Sequence, residues 1–134
     1  MIVDSSALIA VLRDEPDAPA FAAALAEAAE PRLMSAANWL EAAIVIDGSR
    51  DPVASARFDQ LCRRAGIELA EVTASQALLA RKAYQDYGKG SGHPAGLNYG
   101  DCFSYALARE TGERLLFKGD DFTHTDVQPY PIEG

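Results

Sequence analysis

The sequence predicts an α/β fold, a three-layer sandwich whose central, mainly parallel sheet is flanked by helices. Three observations predict it. Met1–Val3 and Leu115–Phe117 are short apolar runs followed by polar or acidic residues, as strands buried on both faces are in parallel sheets. Between them lie segments with apolar residues at helical spacing. Strand and helix thus alternate along the chain, and that alternation packs helices against a parallel sheet.

Each element follows from its residues. Asp4, Ser5 and Ser6 come after the first strand and can cap a helix that turns Leu8, Ile9 and Leu12 inward. Pro16 and Pro19 break that helix, and Ala20–Ala29 forms an alanine-rich one with Phe21 and Leu25 facing the core. Between Ala36 and Ile46 only Asn38 and Glu41 are polar, so Ser35–Asp47 reads as a helix that is apolar nearly all round. Ser35, Asn38 and Glu41 stand three apart and form one polar stripe on it.

Asp51–Ala65 is more amphipathic, with Val53, Phe58 and Leu61 apolar and Arg57, Arg63 and Arg64 on the wet face. Ile67–Val72 alternates apolar with acidic residues, as an edge strand does. Thr73 opens a helix that reaches Tyr87, and Gly88–Gly96 is a glycine-rich loop. Asn98 caps the next helix, which carries Asp101 in its first turn and runs through Phe103, Ala106 and Leu107 to Gly112. After Leu115–Phe117 come Lys118-Gly119-Asp120-Asp121-Phe122, and Val127–Tyr130 reads as a last edge strand. No repeat or linker divides the chain, so residues 1–134 are expected to form one domain.

Composition narrows the function. With 49% hydrophobic and 24% charged residues the chain is not a disordered one. Its 20 acidic residues outnumber 12 basic ones, giving a charge of −8 that repels bare nucleic acid unless metal ions or local basic patches intervene. No apolar run is long enough to span a bilayer, and the N-terminus makes a poor signal peptide, so a cytoplasmic protein without membrane contact is expected. Cys62 and Cys102 lack CxxC spacing and read as reduced thiols.

The acidic residues carry the chemical signal. Asp4 ends a buried strand, Glu41 interrupts an apolar helix, Asp101 opens another, and Asp120 and Asp121 follow a buried strand. Burying an unpaired carboxylate costs several kcal/mol, so each needs a partner. Each has an ordinary explanation when taken singly. Asp4 can cap a helix, Glu41 can pair with Arg32, Asp101 can complement a helix dipole, and Asp120 and Asp121 can serve a turn. Together they gather at the edge where parallel strands end and ligand sites form. Carboxylates that converge without matching arginines raise one another's pKa, and a hard cation such as Mg²⁺ or Mn²⁺ resolves the conflict.

These residues also resemble a known family. Ile2-Val3-Asp4-Ser5-Ser6-Ala7-Leu8, the helical Glu41, Asn98-Tyr99-Gly100-Asp101-Cys102 and Phe117-Lys118-Gly119-Asp120-Asp121-Phe122 look like the ordered acidic motifs of PIN-domain ribonucleases, in particular VapC-type toxins of toxin–antitoxin pairs. The resemblance covers essentially the whole chain, and His93–Asn98 is similar to one bacterial toxin subgroup. It implies a PIN-like sandwich and a Mg²⁺-dependent endoribonuclease, with Mn²⁺ able to substitute. Asp4, Glu41 and Asp101 fall on the family's acidic positions, as catalytic residues and metal ligands. The usual fourth acid falls on Gly119 here, which passes that role to Asp121 or Asp120. Ser6 matches a residue that supports the site. Arg63, Arg64, Arg81, Lys82, Lys89 and Lys118 are candidates to receive phosphates.

The resemblance also implies partners: an RNA substrate, a cognate antitoxin and a second copy of the chain in a homodimer. An antitoxin arginine would block the acidic pocket, and the first helices, with Phe21, Leu25 and Trp39, are either core or a groove for an amphipathic helix. A haloacid-dehalogenase-like phosphatase also begins with a strand ending in Asp, but Ser6 and His124 stand where it needs acids. A serine hydrolase lacks its nucleophile-elbow glycines, and zinc lacks a His/Cys cluster. A PIN-like binding module without activity is the alternative from outside the enzymes.

Overall fold

In a computed structural model that describes residues 1–132, four strands form one sheet in the order β3-β2-β1-β4. These are β1 (Ile2–Val3), β2 (Arg32–Ser35), β3 (Ile67–Ala70) and β4 (Leu115–Leu116), and every pairing between them is parallel. Six helices connect them: α1 (Ser5–Leu12), α2 (Ala18–Glu27), α3 (Ala36–Asp47), α4 (Pro52–Ala65), α5 (Ala74–Tyr87) and α6 (Tyr99–Thr111). Ile2 lies opposite both Leu33 and Leu115, so β1 sits at the centre of the sheet.

Side-chain alternation along the strands divides the core in two. Met1, Val3, Met34 and Leu116 join Leu8, Phe21, Leu25 and Phe58 in the layer of α1 to α4. Ile2 and Leu115 face the other way, toward Ala83, Tyr105 and Leu107 of α5 and α6. Ile2, Val3, Leu115 and Leu116 are all fully buried, which is why these strands are apolar throughout rather than alternating. The expected three-layer α/β sandwich is the observed one.

Several local readings are corrected. The strand β2 was not expected, because Arg32-Leu33-Met34-Ser35 holds two apolar residues and runs straight into α3. Pro19 does not break a helix but lies in the first turn of α2, where proline's missing N–H costs nothing. The edge strand expected at Ile67–Val72 ends at Ala70. The strand expected at Val127–Tyr130 is a single bridge between Leu115 and Pro129. Leu115 donates to Gln128 O and Tyr130 donates back to Leu115 O, and among the described residues the pairing goes no further. Phe21 and Leu25 are buried, and the partly buried Trp39 packs at a tilt on Phe58, 6.0 Å between ring centroids, beside the same cluster, so they form core and not a groove. Cys62 and Cys102 are free thiols. No helix among the described residues is long and apolar enough to cross a membrane.

Candidate active site

Because all four strands point the same way, their C-terminal ends share one edge, and Asp4 stands at its middle. Asp4 is 2% exposed, and its N–H donates to Leu116 O at 3.0 Å. It caps α1: Oδ2 accepts from Ser6 N at 3.0 Å and from Ser6 Oγ at 2.6 Å. Ser6 Oγ also accepts from Lys118 N at 2.9 Å, which ties the end of β1 to the chain leaving β4. The other oxygen, Oδ1, accepts from Ser104 Oγ at 2.5 Å.

Ser104 Oγ stands 3.0 Å from Asn38 Oδ1 as well, and its single proton is shared between the two acceptors. Asn38, fully buried on α3, donates through Nδ2 to Gly100 O at 2.8 Å. One buried network thus fixes β1, α3 and α6 to each other beneath the strand ends. Both Asn38 and Ser104 were missed as site residues. Their spacing was the available signal: Asn38 is in the polar stripe of α3, and Ser104 lies one helical turn after Asp101.

Asp101 fills two roles. It forms a capping box with Asn98, whose Oδ1 accepts from Asp101 N at 2.9 Å while Asp101 Oδ2 accepts from Asn98 N at 3.1 Å. A cap alone would keep the acid ionised, yet burial pushes its pKa up to about 8 against the opposing Asn98 N–H. The neighbouring carboxylates of Asp121 and Asp4 add to that rise.

Glu41 and Asp121 line the same cleft. Contrary to expectation, Glu41 is exposed, and it does not pair with Arg32, which donates to Leu25 O at 2.8 Å and is turned away. Instead Glu41 Oε1 accepts from Ser5 Oγ at 2.8 Å. Gly100 leaves the space for it, since a Cβ there would stand 2.8 Å from Glu41 Cδ. Asp121 is also exposed and faces Asp101. Asp120 is exposed and absent from the cleft lining; its carbonyl accepts from Thr123 Oγ1 at 2.6 Å. Gly119 adopts φ +103°, where an L side chain is strained, so an acid at that position would work against this turn.

The cleft has a volume of about 350 Å³ and is lined by Asp4, Glu41, Asp101 and Asp121 with Arg13 and Lys118. Lys118 Nζ is already bound to Glu15 at 2.6 Å and Asp17 at 3.1 Å. Arg13, which sequence reasoning overlooked, has no ion pair among the described residues. Of the expected phosphate-binding cations, Arg63, Arg64, Arg81, Lys82 and Lys89 lie outside the cleft.

The donors suit a hard divalent cation, for all are carboxylate oxygens, and burial together with the neighbouring carboxylates of Asp121 and Asp4 raises the pKa of Asp101, a conflict that a cation relieves. Among the described residues no three His, Cys, Asp or Glu side chains are disposed to hold an ion as they stand. Mg²⁺ ordinarily keeps several waters and is bound by one or two carboxylates together with substrate phosphate.

The family follows from comparison. The PIN-domain family model matches residues 1–128. Ribonuclease VapC28 of Mycobacterium tuberculosis is 59% identical over 128 residues, 96% of either chain, and Ribonuclease VapC30 of the same species is 54% identical over 95% of either chain. A solved structure of VapC20 from Mycobacterium tuberculosis, described as a sarcin-ricin loop cleaving toxin, superposes with a TM-score of 0.72 over 94% of this chain and 95% of that one at 15% identity. That likeness speaks for the fold. The chain belongs to the PIN-domain family, among relatives named VapC ribonucleases. The phosphatase reading is set aside with it.

Proposed function

We propose that this chain is a Mg²⁺-dependent endoribonuclease, the toxin of a toxin–antitoxin pair, acting in the cytoplasm. The observation that carries the reading is the gathering of Asp4, Glu41, Asp101 and Asp121 in one cleft of a chain whose close relatives are named ribonucleases. Asp4 and Asp101 would hold the ion, with Asp121 beside them, and Mn²⁺ would substitute for Mg²⁺. When bound, such an ion makes a water acidic enough to attack phosphorus and neutralises charge on the phosphate.

The chain's own groups do the rest. Ser6 and Ser104 hold both oxygens of Asp4 in fixed directions. Ser5 holds Oε1 of Glu41, which leaves Oε2 to accept the proton of the attacking water. Arg13, which lines the cleft, would receive a non-bridging phosphate oxygen. Attack in line would form the bond from the water oxygen to phosphorus and break that to the leaving ribose oxygen, which takes a proton from solvent, with no part played by the ribose 2′-hydroxyl.

The partners follow the same chemistry. An acidic cleft accepts an arginine of the cognate antitoxin as readily as a cation, with two parallel hydrogen bonds. The groove beside α2, lined by Ala20, Ala23 and Tyr130, is where an amphipathic helix from that partner would lie. Leu40, Ile44 and Val45 are exposed on α3 and offer the face that a second copy would cover in a homodimer.

The test is cleavage of single-stranded RNA by the purified protein with Mg²⁺, with and without a chelator. The reading requires products that lack 2′,3′-cyclic phosphate and activity that chelation removes. Activity that persists in chelator would refute metal dependence. RNA that binds without being cut under any divalent ion would leave a binding module.

A further inference from the structure

We infer that the groove between α5 and α6 is a track for single-stranded RNA on one side of the scissile phosphate, with Tyr99 as its stacking platform. The inference rests on the ribonuclease reading and adds the substrate's path to it. The groove has a volume of about 740 Å³, and Tyr84, Tyr99 and Phe103 provide aromatic surface with Arg81 and Lys89 at its sides. Asn98 lines both this groove and the carboxylate cleft, so a strand can run from one into the other without leaving the surface.

Exposure and charge both favour this occupant. Tyr99 is 79% exposed, a large apolar area that the fold alone does not explain, and Phe103 packs edge-on against it at 4.9 Å, fixing the ring. Tyr84 is fixed too, its hydroxyl donating to Lys89 O at 3.1 Å. Among the described residues neither Arg81 nor Lys89 is in an ion pair, and no carboxylate lines the groove. A chain of net charge −8 that keeps two free cations among three aromatic rings has there the two requirements of single-strand binding, a positive track and faces for bases. An apolar partner helix would use the rings but not the cations.

Binding of a single strand of about 12 nucleotides carrying one 2-aminopurine tests this, a length within the ~4–16 nucleotides such sites cover. Measured in chelator so that nothing is cut, the parent quenches the 2-aminopurine. Tyr99→Ala removes the quenching and weakens binding roughly 10-fold, the loss of about one stacked base. Tyr99→Phe restores both. Arg81→Gln with Lys89→Gln weakens binding and flattens its salt dependence. A parent that binds in this way yet never cuts RNA in Mg²⁺ would sink the nuclease reading and keep the track. A parent that cuts RNA while all groove variants bind and quench unchanged would overturn the track alone. Groove variants that turn a dimer into a monomer with RNA binding intact would assign the groove to a second copy, which also overturns it.

Discussion

Gly100 faces Glu41 so closely that a Cβ on it would stand 2.8 Å from the carboxylate carbon, while Ser5 Oγ donates to Oε1 at 2.8 Å. The position of this acid therefore depends on a missing side chain. Gly100→Ala is predicted to push the exposed carboxylate aside and lower kcat/KM by about 100-fold, the order of loss for a misplacement of roughly 1 Å. Stability should hold or rise by up to about 1 kcal/mol, since alanine suits a helix better than glycine. A melt that collapses would show that the glycine serves the fold and not the acid.

Asp101 makes the metal-free protein sensitive to pH. Its carboxyl is pushed up to about 8 in the folded state, against about 3.9 when unfolded. The folded chain therefore keeps a proton that the unfolded chain has released between those values. This contribution to stability is whole below about pH 4 and is lost as pH rises through 8. Thermal melts in chelator from pH 5 to 8.5 should show the parent losing stability relative to Asp101→Asn, and Mg²⁺ should restore the parent at pH 8 by binding the folded state. Parallel curves for parent and variant would contradict the shift.

Ser104 serves two acceptors with one proton, at Asp4 Oδ1 and Asn38 Oδ1. Ser104→Ala leaves both buried oxygens without that donor and is predicted to cost about 1–3 kcal/mol in denaturant unfolding. Cleavage should fall as well, because Asp4 keeps only its contacts with Ser6. Asp4→Asn also places an NH₂ against a hydroxyl donor, so it should not stabilise the fold as Asp101→Asn does. Full stability in Ser104→Ala would mean that water replaces the hydroxyl at no cost.

Asp121 and Asp120 are adjacent but differ in what they face. Asp121 lies across from Asp101 and helps raise its pKa, whereas Asp120 is outside the cleft. Asp121→Asn should therefore shift the pH-dependent part of the metal-free melt to lower pH and reduce cleavage at least 10-fold, a loss of about 1.4 kcal/mol. Asp120→Asn should do neither. Equal, negligible losses from the two variants would remove Asp121 from the site.

The sheet's centre was legible because Ile2-Val3 and Leu115-Leu116 are buried on both faces, and such strands leave an unbroken apolar mark. Arg32–Ser35 leaves none, being a strand defined by its neighbours' hydrogen bonds more than by its own residues. Asp4 and Asp101 were legible as acids out of place. Glu41 was legible as the break in an apolar helix, but the inference that it is buried failed, because one face of α3 exposes Leu40, Ile44 and Val45. Arg13, Asn38 and Ser104 were hidden because their roles arise from contacts across the chain, such as the hundred-residue separation of Ser104 from Asp4. Periodicity records which face a residue shares, but not which distant residue meets it.

RNA cleavage by the parent, Asp4→Ala and Asp101→Asn in Mg²⁺, with melts of all three, tests the carboxylate cleft most directly. The predicted result is divalent-dependent cutting by the parent, at least a 1,000-fold loss in both variants, about 4 kcal/mol of transition-state stabilisation, and an Asp101→Asn protein that melts no lower than the parent. Cutting by both folded variants at the parent's rate would contradict it.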